Sequence, residues 1–310
     1  MNATNKPVTV DAALLHGWAL PMPDADSDKE GRGHVLVLGG SREMPGAVIL
    51  AATAALRAGA GKLTIATGDS VAQLVALALP EARVIGLAET ATGGFTGDAV
   101  AKLDPLSDKV TATLIGPGMQ DEPATAALVH ALLPRLAESD TRVVLDACAM
   151  GAILYPPEGD APFRFTQPVV VTPHAGEMAH LSGMDKDAIV AAPDQHALDA
   201  AARWNVVIAL KGARTVVAAP DGALWQQAVG NVGLATSGSG DTLAGIIAGL
   251  AARGATLAQA TCWGVALHAQ AGERLGRQFG QLGYLAREIP AEIPALLEHF
   301  AGKRPGAADR

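Results

Sequence analysis

Twelve residues, Gly230-Asn-Val-Gly-Leu-Ala-Thr-Ser-Gly-Ser-Gly-Asp241, run directly into an apolar stretch of helical character that begins at Thr242. Three small residues, Gly238, Ser239 and Gly240, let several backbone N–H groups converge with little side chain in the way. A helix start adds partial positive charge, so the segment reads as a receptor for a phosphate. Asp241 in the first turn has two readings. It is an N-cap for its own helix, or its carboxylate points into the anion hole as a general base. In that role it would deprotonate a hydroxyl that attacks a bound phosphoryl group. A cap needs no run of four small residues from Ser237, which favours the second reading. No Gly-Lys-Ser/Thr follows, so this is not a Walker-type phosphate loop.

Other candidates lie between predicted elements. Leu210-Lys-Gly-Ala-Arg-Thr215 separates two strand-like runs. There Lys211, Arg214 and Thr215 either hold a nucleotide's phosphates and ribose or form an ordinary polar hairpin. Val171-Thr-Pro-His-Ala-Gly-Glu177 sits at the C-terminal end of a predicted strand, the edge where open α/β sheets place ligands. His174 and Glu177 there suit a substrate contact and a magnesium-organising carboxylate, or a capping arrangement for the next helix. Gly39 to Gly46, Ile115-Gly-Pro-Gly118 and Asp146 occupy further strand ends. Gly39-Gly40 is too short for the G-x-G-x-x-G fingerprint, which disfavours a dinucleotide-binding oxidoreductase. His34, His130, His196 and His299 read as single surface or edge histidines, and His268 as a satisfied core residue.

The elements that must position these residues follow an alternating pattern. Short apolar runs are predicted as strands at His34–Leu38, Leu63–Ala66, Val84–Leu87, Thr113–Ile115, Val143–Leu145, Val169–Val171, Val206–Leu210 and Thr215–Ala218. Ala-rich stretches of helical length separate most of them. Such runs between helices imply a mostly parallel sheet covered on both faces, an α/β class. After Thr215–Ala218 the turn Pro220-Asp-Gly222 predicts a hairpin to Ala223–Trp225. Helices are expected over Asp241–Arg253, Leu257–Leu275 and Ile289–Phe300. Residues 1–33 read as an irregular tail or lid, 34–300 as one domain, and 301–310 as a disordered tail.

Composition narrows the partners. Across 310 residues, 23 Lys+Arg stand against 31 Asp+Glu, a net charge of −8, which argues against nucleic acid or an anionic membrane. Two cysteines, Cys148 and Cys262, build neither a disulfide framework nor a zinc motif. No run of 18 apolar residues occurs, and the weak run Ala12–Leu20 is broken by His16. A cytoplasmic location is expected.

Seven motifs in order carry a family resemblance: Gly39-Gly-Ser41, Pro45-Gly-Ala47, Arg57-Ala-Gly-Ala-Gly61, Gly116-Pro-Gly118, Thr172-Pro-His-Ala-Gly-Glu177, Leu210-Lys-Gly212 and Gly238-Ser-Gly-Asp241. Over about residues 10–300 the chain resembles the ADP/ATP-dependent NAD(P)H-hydrate dehydratases of the ribokinase-like superfamily. The resemblance implies repair of the 6S hydrate of NADH or NADPH, with ADP or ATP split to AMP or ADP and phosphate. It implies that Ala47, Gly118, His174 and Asp241 contact the hydrate. Lys211, Gly212, Ala213, Arg214 and Thr215, with Gly238, Ser239 and Gly240, would hold the adenine nucleotide. Asp241 would be the catalytic base, and Mg2+ would bridge the nucleotide phosphates near Glu177. A homo-oligomer of even subunit number, such as a tetramer, and a separate epimerase for the 6R form are also implied.

Departures are few. Asp146-Ala-Cys148-Ala stands where the family more often has a second Asp, and Gly-Ser-Gly-Asp replaces Gly-Thr-Gly-Asp. The alternatives are a vitamin-precursor alcohol kinase of the same superfamily and a non-catalytic nucleotide-binding subunit. None of Asn2, Asn5, Asn205 and Asn231 is followed by Glu three positions on, and Thr172-Pro-His174 differs from the Thr-Pro-Asn of thiamin-pathway kinases. Both points favour the dehydratase.

Overall fold

The computed structural model describes residues 6–24, 26–157 and 163–301. Ten strands form one sheet: β1 (Val8–Thr9), β2 (His34–Leu38), β3 (Lys62–Gly68), β4 (Arg83–Leu87), β5 (Ala112–Ile115), β6 (Arg142–Leu145), β7 (Val169–Val171), β8 (Val206–Leu210), β9 (Thr215–Ala218) and β10 (Leu224–Gln227). Their spatial order is β1-β10-β9-β8-β7-β6-β5-β2-β3-β4. Pairing is parallel from β4 through β8, antiparallel on both sides of β9, and parallel again between β10 and β1. The mostly parallel α/β architecture expected from the sequence is therefore present.

Eleven helices accompany the sheet among the described residues: α1 (Ala12–Gly17), α2 (Pro45–Arg57), α3 (Ala72–Ala78), α4 (Ala99–Leu103), α5 (Glu122–Glu138), α6 (Ala175–Ser182), α7 (Lys186–Ala191), α8 (Pro193–Trp204), α9 (Ser239–Ala252), α10 (Leu257–Phe279) and α11 (Ile289–Ala301). Period-two alternation divides the strands between two cores. In β2, Val35 and Val37 pack with α2, α9, α10 and α11, whereas Leu36 and Leu38 join the layer that holds α5 and α8. His34 is not the surface histidine its sequence position suggests. It is buried at the start of a central strand, with Nε2 2.8 Å from Thr64 Oγ1.

Residues 6–24 also differ from the expected irregular lead-in. β1 adds a strand beside β10, and the Val10 N–H donates to the Gln226 carbonyl at 2.8 Å. Val10 and Leu15 are buried, and Trp18 stacks on Trp225 at 5.7 Å between ring centroids. The Trp18 carbonyl accepts from Trp263 Nε1 at 2.8 Å and from Gln259 Nε2 at 3.1 Å. A two-residue strand carries no periodicity, and its partner lies more than two hundred positions away, so local pattern could not show it. Residues 1–5 and 302–310 lie outside the described residues. No helix among those described is long and apolar enough to cross a membrane.

The helices α2 and α9 lie side by side in an unusually close seam. A Cβ on Gly245 would collide with the Ala51 carbonyl, and one on Gly249 with the Ala55 carbonyl. Both helices start at the carboxyl edge of the parallel strands, so the seam fixes where their N-termini stand. Gly249→Val is expected to lower stability by about 2–3 kcal/mol through overpacking, read as a reduced urea midpoint.

Candidate active site

The chain winds from β2 through β3 to β4 on one side and from β5 through β8 on the other. The loops after β2 and β5 therefore part at a topological switch point, where open α/β sheets bind ligands. These loops are tied together there, with the Gly40 N–H donating to the Pro117 carbonyl at 2.6 Å. Gly118 adopts φ +73°, and a Cβ there would stand 2.9 Å from that of Ala47 in the first turn of α2. Only glycine fits, because the left-handed backbone and the crowding coincide. Ala47 and Gly118, expected to share a substrate surface, are thus adjacent.

The anion-hole segment stands beside them. Gly238, at φ +88°, reverses the chain, and α9 begins at Ser239, two residues earlier than the sequence pattern placed it. A Cβ on Gly238 would crowd Leu50, so the start of α9 packs against the second turn of α2. Asp241 is therefore the third residue of the helix and not its cap, which is the backbone of Gly238. The Ser239 N–H is taken by the Thr236 carbonyl at 3.2 Å. Among the described residues the Gly240 N–H has no protein acceptor, as expected of a first-turn donor. Beneath this turn, His268 Nε2 lies 3.1 Å from the Ser239 carbonyl and 3.0 Å from Ser239 Oγ. A carbonyl only accepts, so Nε2 carries the hydrogen. Burial pushes the imidazole down to about 4, so it stays neutral and props the turn.

Charged groups converge on the same edge from three strand ends. Lys211 Nζ, after β8, sits 3.7 Å from Asp146 Oδ1, after β6, and 3.7 Å from Glu177 Oε2 in α6. It also lies 3.3 Å from where a Cβ on Gly240 would stand, which puts the ammonium against the first turn of α9. Asp146 is almost fully buried and accepts from Thr172 Oγ1 at 2.5 Å. Asp241 is half-buried, and its carboxyl is pushed up to about 7. Burial is the largest cause, the Asp146 carboxylate adds to it, and Lys211 opposes it.

His174 and Glu177 form the capping arrangement that their spacing allowed. His174 Nδ1 accepts from the Gly176 and Glu177 amides at 3.0 and 3.1 Å, while Glu177 Oε2 accepts from the His174 N–H at 2.7 Å. Because Nδ1 accepts, Nε2 carries the ring hydrogen. The His174–Lys211 backbone bridge holds this cap beside the ammonium. Arg214 turns elsewhere: its guanidinium pairs with Asp194 at 2.8 Å and donates to Gln226 Oε1 at 2.5 Å. Thr215 opens β9 opposite Gln227, and Gly212 and Ala213 form the tight link between β8 and β9. Among the described residues no three His, Cys, Asp or Glu side chains cluster as a metal cage. Glu177 with Asp146 is instead the one-or-two-carboxylate donor set that suits magnesium carried in on phosphates.

Sequence reasoning did not find several supports. Asp146 was visible as a strand-end acid, but its pairing with Lys211 and Thr172 spans 65 and 26 positions. Asn231 accepts from Tyr284 Oη at 2.8 Å and donates to the Gly272 carbonyl at 2.7 Å, anchoring the segment before α9 to α10. Nothing local signals either set.

Sheet order, switch point and glycine-led helix define a ribokinase-like α/β protein, and a ribokinase-like superfamily protein from Enterococcus faecalis superposes over 97% of the chain with TM-score 0.78 at 25% identity. Residues 35–295 match the NAD(P)H-hydrate dehydratase family model, and the chain belongs to that family. An ADP-dependent (S)-NAD(P)H-hydrate dehydratase from Xanthomonas campestris pv. campestris is 50% identical, over 94% of this chain and 96% of its own length. A bifunctional NAD(P)H-hydrate repair enzyme from Moorella thermoacetica is 41% identical over 93% of this chain, which spans 54% of that relative. The crystal structure of ADP/ATP-dependent NAD(P)H-hydrate dehydratase from Bacillus subtilis, co-crystallised with ATP/Mg2+, has TM-score 0.80 at 32% identity. It covers 96% of this chain and 100% of its own.

The raised Asp241 pKa has a stability consequence. Between its ordinary 3.8 and about 7 the folded chain keeps a proton that the unfolded chain has lost. Stability contributed by the protonated carboxyl is therefore complete below 3.8 and declines as pH rises toward 7. Asp241→Asn should unfold at higher denaturant than the parent. The gap should widen by on the order of 1 kcal/mol per pH unit from pH 4 to 7 and level off above.

Proposed function

We propose that this chain is an ADP-dependent (S)-NAD(P)H-hydrate dehydratase in which Asp241 is the general base. The observation that carries this reading is the Lys211 ammonium set against Gly240, whose amide is unpaired among the described residues, in the same helix turn as a carboxyl poised near neutrality. The terminal phosphate of ADP lies on the first turn of α9, against the Gly240 N–H and Lys211 Nζ. Arg214, pinned by Asp194 and Gln226, holds the β8–β9 link so that Lys211, Gly212, Ala213 and Thr215 face the nucleotide. Ala47, Gly118 and His174 line the hydrate's side. His174 Nε2–H, 3.7 Å from Glu177 Oε2, is the ring donor that makes no hydrogen bond in the cap.

Hydroxide leaves poorly from the reduced ring, whereas a phosphate ester leaves readily. Asp241 takes the proton of the ring hydroxyl while its oxygen bonds to the terminal phosphorus of ADP, and AMP departs. The ring nitrogen's lone pair then expels phosphate, and loss of the neighbouring ring proton restores the double bond of NAD(P)H. The Gly240 amide and Lys211 stabilise charge on the transferring group, an oxyanion-hole type of contribution. Magnesium, when bound, neutralises phosphate charge, and Glu177 with Asp146 would hold it. A base near 7 suits this step, because it is strong enough to accept the proton and still about half ionised at neutral pH.

With magnesium and the 6S hydrate, ADP should regenerate dihydronicotinamide absorbance. ATP and nucleotide-free reactions run in parallel define the donor. Asp241→Asn should lower kcat by on the order of 10²–10⁴. The parent's kcat/KM should fall as pH drops below an apparent pKa near 7. A variant retaining near-normal turnover, or accumulation of a stable phosphorylated alcohol, would sink this reading.

A further inference from the structure

A cavity of about 510 Å³ opens at the end of the molecule opposite the candidate active site, at the amino edge of the parallel strands. Gly59, just past the C-terminus of α2, and Arg253, just past that of α9, line it. It is therefore reached at the far ends of the same two helices whose near ends carry Ala47 and Asp241. Its walls are apolar, with Leu20, Leu56, Leu297 and the fully buried Trp263.

Three guanidinium groups, of Arg32, Arg57 and Arg253, meet these apolar walls, and Glu298 is the one acid among the lining residues. No ion pair joins any of the three to a carboxylate among the described residues. Arg253 spends its donors on the carbonyls of Ala58 and Pro21, both at 3.1 Å, and Arg32 on that of Gly59 at 3.3 Å. Burial, followed by the nearby Arg32 cation, depresses the Arg253 pKa. Arg253 is half-buried while Arg32 and Arg57 reach solvent, so three cations face one lining acid, and an anion that entered would meet an unbalanced positive charge beside apolar walls.

We propose that this cavity binds a small amphipathic anion: an aliphatic or aromatic body ending in a carboxylate, phosphate or sulfonate. The volume suits one such molecule, and a planar guanidinium is the side chain best matched to those head groups. A polyphosphate nucleotide does not fit the apolar walls. The chain's own continuation past Ala301 has the wrong sign, because Lys303, Arg304 and Arg310 outweigh Asp309. The proposal is independent of the chemistry assigned to the opposite edge.

The full chain is titrated with 1-anilinonaphthalene-8-sulfonate and, separately, with N-phenyl-1-naphthylamine, which has the same rings without the charge. The sulfonate should bind at one saturable site, be displaced by decanoate and be unaffected by ADP. Arg32→Gln combined with Arg57→Gln should weaken the sulfonate at least about tenfold, the size of one lost charge-assisted hydrogen bond. The neutral probe should change less than about twofold, and dehydration rate and melting temperature should stay at the parent's values. Leu297→Trp, which fills the cavity, should abolish both signals. Equal losses for both probes in the arginine variant, displacement by ADP, or no saturable site would overturn the proposal.

Discussion

An unpaired backbone donor, the Lys211 ammonium and a protonatable carboxyl meet at the first turn of α9, and much of the surrounding architecture holds them there. A helix start offers free N–H groups automatically, but they are useful only where no side chain caps them. Gly238 supplies the reversal in a left-handed conformation and caps with backbone alone, which leaves the Asp241 side chain clear of capping duty. The neutral His268 beneath, and the Asn231–Tyr284 pair before the turn, tie this loop to α10. The glycine seam with α2 then sets the turn beside Ala47 and Gly118.

Electrostatics at the edge is a balance of opposing terms. Asp146, Glu177 and Asp241 surround Lys211, and three carboxylates around one ammonium cannot all ionise without cost. Asp146 accepts from the Thr172 hydroxyl and lies 3.7 Å from the lysine ammonium. Burial and the Asp146 charge act on the half-buried Asp241 and raise its carboxyl to about 7.

Much of the fold was legible in the chain. The eight predicted strands, from His34–Leu38 to Thr215–Ala218, coincide with β2 to β9, because fully buried parallel strands read as unbroken apolar runs bounded by turn residues. β1, α1, α4 and α7 escaped notice, being two to six residues long with weak periodicity. His34 misled for a related reason: a polar residue in a central strand reads as an edge until its partner, Thr64, is known.

At the site, residue types and local spacing determined the phosphate-receptive helix start, the acid beside it, and the His174–Glu177 cap, since all three depend on neighbours within four positions. Tertiary structure alone decided which of these groups share an edge. It placed Lys211 against Gly240, Asp146 next to Lys211, and Arg214 on Asp194 and away from that ammonium. Those contacts join residues 20 to 65 positions apart, and their existence depends on strand order. The carboxyl's displaced proton affinity likewise arises from burial and neighbouring charge, which a linear sequence does not contain.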